Sequence, residues 1–75
     1  MSGWIKIKGD GTDTEPAVWR MFEARLRGGS HWHDCCVTPF CAAIAPGYFQ
    51  HGNAKGEPRD HDVIAIRFYD QEQAK

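Results

Sequence analysis

A chain of 75 residues has room for one small hydrophobic core and not for a second. With 41% apolar and 25% charged residues it has the composition of a folded domain, not of a disordered tail. Nine basic side chains against ten acidic ones leave a formal net charge of -1, so no global positive field draws in nucleic acid or an anionic membrane.

Trp4-Ile5-Lys6-Ile7-Lys8 alternates apolar and basic residues beyond Trp4, which predicts a half-buried strand with Ile5 and Ile7 on one face and Lys6 and Lys8 on the other. Gly9-Asp10-Gly11-Thr12-Asp13 stops it, and Pro16 extends the irregular stretch. From Val18 to Arg27 two patterns overlap. Phe22, Ala24 and Leu26 alternate with Glu23, Arg25 and Arg27 as in a strand, while Val18, Met21, Phe22 and Arg25 also fall at helical spacings. The following Gly28-Gly29-Ser30 favours a hairpin, whose second strand would run from His31 to Val37. Thr38-Pro39 has the residues of a helix start, cap and first helical position, and predicts a short helix ended by Pro46-Gly47.

Tyr48 to His51 reads as another short strand, and His51 to His61 as a polar loop. Val63 to Tyr69 is the clearest strand, apolar on both faces and therefore expected in the middle of the sheet. Residues 71–75 are polar and expected to fray. The predicted fold is β-rich α+β. It is a single small domain over 1–75 without a linker, built on an antiparallel sheet of about four to five strands, SH3-like or a meander, with one short helix after Thr38.

Chains this short bury a smaller fraction of their surface than larger domains do, so a metal, a disulfide or a partner subunit is commonly needed. Three cysteines and no basic region followed by an apolar signal segment at Met1-Ser2-Gly3-Trp4 point to reduced thiols. No apolar run approaches the roughly 18 residues of a membrane span. The expectation is a cytoplasmic protein that assembles as a homo-oligomer, with most of its aromatic residues in the core.

The densest chemistry lies in His31-Trp32-His33-Asp34-Cys35-Cys36. On a regular strand His31, His33 and Cys35 share one face at steps of roughly 6 to 7 Å, close enough to converge on one ion. Imidazole and thiolate suit zinc, with Cys41, His51 or His61 as a fourth ligand. The paired Cys-x-x-Cys of common zinc knuckles is lacking, so the thiols are read as small buried hydrophobes and no metal is assigned. A cysteine nucleophile activated by His31, His33 or His51 would also need an oxyanion hole and an orienting group, so the chain is read as non-enzymatic.

Arg20, Arg25 and Arg27, with Lys6, Lys8 and Arg67, are candidates for a local basic face despite the balanced charge. Interleaved with Trp4, Trp19 and Trp32, such a face grips phosphate and stacks a base. The competing reading pairs these arginines with Glu23 or Asp34 on a solvated strand face.

Gly3-Trp4-Ile5, Phe22-Glu23-Ala24-Arg25-Leu26-Arg27-Gly28, Tyr48-Phe49-Gln50-His51 and Asp62-Val63-Ile64-Ala65-Ile66-Arg67 together resemble small proteins encoded by bacteriophages and prophages. These begin with Gly-Trp-Ile, carry a strand like Val-Glu-Val-Arg-Leu-Arg-Asp-Gly and end in Asp-Ile-Ile-Ala-Tyr-Arg. The chain departs from them at Ile66, at Gly29 and in its cysteines. The resemblance implies a phage or prophage origin and a compact β-rich fold, and brings no established activity; small phage proteins without catalytic machinery commonly act in an infected bacterial host by occupancy. Such a protein either sequesters a small nucleotide-type signalling ligand or occludes a host defence protein. In the sequestering mode Arg25, Arg27 and Arg67 would hold phosphates, Trp4 or Tyr48 would stack on a base, and His51 would add a hydrogen bond. No cofactor is expected. A structural zinc module and a nucleic-acid-binding regulator are the other readings, the latter not favoured by the balanced charge.

Overall fold

The computed structural model describes residues 3–38 and 44–70. It contains a four-stranded, wholly antiparallel sheet of β1 (Ile5–Lys6), β2 (Phe22–Leu26), β3 (His31–Cys35) and β4 (Val63–Phe68), in the spatial order β1-β4-β2-β3. The last strand in sequence therefore enters between the first two, and the chain is not a simple meander. Its β-branched and apolar run accounts for this place, since β4 is flanked on both edges. The β2–β3 hairpin closes where the glycines predict it. Gly29, with φ +101°, donates its N–H to Leu26 C=O at 3.0 Å, and Leu26 N–H donates to Ser30 C=O at 2.9 Å.

Residues with two possible periods between Val18 and Arg27 resolve as a strand from Phe22, preceded by Trp19 in the left-handed region at φ 63°. The irregular stretch around Pro16 holds one helical turn, α1 (Thr14–Ala17), in which proline is tolerated because first-turn N–H groups have no helical partner. The strand expected at Tyr48–His51 is instead a 3₁₀ turn, Pro46–Phe49. Pro46 fixes the entry, and Tyr48 N–H donates to Ala45 C=O and Gln50 N–H to Gly47 C=O. Only Gln50 makes a strand-like bridge, to Asp10. The short helix expected after Thr38 falls at residues 39–43, outside the described residues.

One face of the sheet is dry. Phe22, Ala24, Leu26, Val63, Ile66 and Phe68 meet Ala17, Val37, Ile44 and Phe49 from α1, the segments beside Thr38 and the 3₁₀ turn. Phe22 sits at the centre, edge-on to Phe49 at 6.1 Å and to Phe68 at 5.9 Å between ring centroids. Burial of these side chains, on the order of 1.5–3 kcal/mol each for the larger ones, holds the layers together.

The polar loop between the 3₁₀ turn and β4 is organised by one fully buried carboxylate. Asp62 accepts from Gly52 N–H at 3.0 Å, from Arg59 N–H at 3.0 Å and from Arg59 Nε at 2.8 Å, with Arg27 Nε further off at 3.4 Å. Burial raises its pKa, but the backbone N–H groups and the Arg59 guanidinium outweigh that and hold the carboxyl well below the usual carboxylate range. Arg59 in turn donates from Nη2 to Gly47 and Gln50 carbonyls, so Asp62 and Arg59 fasten the loop to the 3₁₀ turn.

Candidate ligand-binding face

The second face of the sheet carries the chemistry. Cross-strand register places Lys6, Ala65, Arg25 and His31 in one row across all four strands, and Glu23 opposite Arg67 in the next row. Directly opposed residues of antiparallel strands share a face, so these side chains rise on the side away from the core. Ala65 is the short member between Lys6 and Arg25.

Trp4, just before β1, lies against this face. The Arg25 guanidinium is 4.5 Å and that of Arg67 5.0 Å from the Trp4 ring centroid, and the His31 ring meets the indole edge-on at 5.6 Å. Both arginines therefore make cation–π contacts with one ring, worth roughly 0.5–1 kcal/mol each where exposed. They differ in their second partner. Arg67 donates from Nε to Glu23 Oε2 at 2.7 Å and again from Nη2 to the same oxygen. Arg25 has no carboxylate partner among the described residues and is exposed.

Glu23 is buried at 6% exposure and is held on both oxygens, by Arg67 at Oε2 and by His31 Nε2 at 2.8 Å from Oε1. Burial pushes its pKa up, while the hydrogen bonds from Arg67 and His31 overcome that and keep it below its ordinary value. Thus an ionised carboxylate fixes the directions of a guanidinium and an imidazole on the same face. Arg27, beyond the end of β2, joins Arg25, His31 and Ile64 in lining a shallow groove beside the hairpin.

Of the residues singled out from the sequence, the fold brings Trp4, Arg25, Arg27 and Arg67 to this side, although Arg67 is committed to Glu23 and Arg27 is ion-paired with Asp62 at 3.4 Å. Tyr48 and His51 do not join them. Tyr48 packs against the core cluster and against the His61 ring at 4.8 Å. His51 donates from Nε2 to Val63 C=O at 2.6 Å, and its backbone N–H donates to Gly9 C=O at 3.0 Å, so it braces the loop. Arg20 also leaves the basic face, since it pairs with Asp70 at 2.6 Å and lies 3.6 Å over the Phe68 ring.

The alternation expected from His31 through Cys35 breaks at Asp34, which has φ 56°. Ala24 pairs with Trp32 while Phe22 pairs with Cys35, so β3 carries an extra residue opposite Glu23, a β-bulge. The N–H of Asp34 donates to Tyr69 Oη at 2.8 Å. The bulge turns Cys35 into the core at 1% exposure and separates it from His31 and His33. Burial, with a smaller contribution from Asp34, pushes the Cys35 thiol up to about 11. Sequence reasoning placed Glu23 only as an ion-pair partner for an arginine, which it is, and missed Asp62 altogether.

Among the described residues no helix is long and apolar enough to cross a membrane. In comparisons with known proteins, no family model, curated protein or solved structure matches the chain.

Proposed function

We propose that this protein is a non-enzymatic binding module whose open sheet face holds a small anionic ligand of nucleotide type. The observation that carries the reading is Arg25, an exposed guanidinium without a carboxylate partner among the described residues, held over Trp4 and in register with Lys6. Phosphate oxygens would sit at Arg25, in the groove that it shares with Arg27. The Trp4 ring supplies an apolar plane beside them. Arg67 acts through Glu23 and Trp4 and not on the ligand itself.

The resemblance to phage-encoded proteins gives this binding a purpose: removal of a signalling nucleotide in an infected host. Occlusion of a host defence protein is the second reading, favoured by the exposure of Trp19 (68%) and Met21 (45%), side chains of the kind that anchor protein interfaces. Self-association belongs to the same proposal, because a core this small gains from a second copy.

Thermal melts of the protein against a panel of cyclic and linear nucleotides test the reading. Stabilisation by at least one nucleotide, lost in Arg25→Ala, is expected. No shift with any nucleotide, together with capture of a host protein that depends on Trp19, would favour occlusion instead.

A further inference from the structure

Ahead of the bulge β3 keeps its alternation, and this puts two imidazoles on the side of a carboxylate of β2. Glu23, His31 and His33 each offer a ligand atom, and these atoms lie within 4.8 Å of one another. His31 and His33 sit two positions apart on the edge strand and share its outer face. Their rings are 4.5 Å apart and tilted by 32°. His31 Nε2 is already 2.8 Å from Glu23 Oε1. We propose that Glu23, His31 and His33 form a binding site for a divalent first-row transition ion such as zinc.

The donor set is the one this chemistry uses. Ligands about 2.0–2.2 Å from a tetrahedral zinc ion are themselves on the order of 3.4 Å apart. The ion replaces the proton between His31 and Glu23 and needs only a small widening there, and the exposed His33 side chain swings in by rotation. Glu23 is prepared for the role because Arg67 occupies Oε2 and leaves Oε1 toward the imidazoles. Such outer hydrogen bonds to a ligating carboxylate are the usual means of fixing its direction. Trp4, edge-on to His31, restricts that ring from its other side.

Three protein ligands leave a tetrahedral ion one open position, the arrangement of a site that takes up water or an anion and not of a closed structural site. The inference stands apart from the nucleotide reading. If both hold, the open position accepts an oxygen of the same anion that Arg25 contacts.

Titration of the chelator-treated full chain with cobalt(II) and zinc(II) chloride tests the site. The expected result is saturable one-to-one binding, visible cobalt bands of the intensity typical of tetrahedral coordination and no thiolate-to-cobalt charge transfer. Affinity should fall roughly tenfold or more in His33→Ala, whose side chain is exposed and whose metal-free melting should match that of the parent. His31→Gln gives a second variant that keeps a polar partner for Glu23. Absence of saturable binding, unchanged affinity in both variants, or thiolate charge-transfer bands would each overturn the proposal.

Discussion

Arg67 and Glu23 face each other across β4 and β2 as directly opposed residues, and the guanidinium Nε and Nη2 donate to the same carboxylate oxygen. Because Glu23 is almost fully buried, Arg67→Ala leaves a carboxylate with only His31 to compensate it among the described residues. With Arg67 itself partly exposed, a loss of about 2 kcal/mol is expected in urea unfolding. Arg67→Lys should recover only part of it, because an ammonium lacks the planar fork.

Asp62 sets the acid limit. Its folded-state pKa lies well below the roughly 3.9 of an unfolded aspartate, so its stabilising contribution is complete above that value and is lost as pH falls toward the folded-state pKa. Asp62→Asn keeps the shape but removes the charge that Arg59 and the backbone N–H groups of Gly52 and Arg59 address. It should destabilise the protein by about 3 kcal/mol near neutral pH and flatten the stability profile between roughly pH 5 and pH 2. Denaturant melts across that range check both.

Gly9 is irreplaceable for two reasons that add. Its φ is +88°, and a Cβ there would stand 2.5 Å from His51 Nδ1, within a ring held by Val63 C=O. Gly9→Ala should lower stability by about 2 kcal/mol or more, measured against Gly29→Ala. The latter position also has positive φ but open space around it.

The buried Cys35 thiol, pushed up to about 11, should resist alkylation near neutral pH until the chain unfolds. Mass spectrometry of iodoacetamide-treated native and denatured protein is expected to show Cys35 labelled only in the latter.

These sites were unequally legible in the sequence. The central place of β4 was readable because Val63 to Tyr69 is dominated by β-branched and aromatic residues, and the β2–β3 hairpin because Gly28-Gly29 terminates an alternating run. Strand alternation within β2 sets Arg25 opposite in face to Ala24 and Leu26, whereas the meeting of Trp4, Arg25 and Arg67 depends on cross-strand register. The bulge was not readable. Asp34 adopts left-handed backbone geometry with Tyr69 Oη accepting its N–H, and that partner lies 35 residues away. Tyr48 carried a strand pattern that Pro46 overrode locally. Asp62 looked like any polar residue before a strand, since its partners, Gly52, Arg59 and Arg27, converge only in the fold.

The central claim is that the Trp4–Arg25 pair on the open sheet face binds a nucleotide-type anion. Calorimetric titration of the parent protein and of Arg25→Ala, using the nucleotide that most raises the melting temperature, tests it most directly. Arg25→Ala should cost the free protein only about 0.5–1 kcal/mol of stability while weakening nucleotide binding roughly tenfold or more. Equal affinity in the two proteins, or no nucleotide that binds the parent at all, would contradict it.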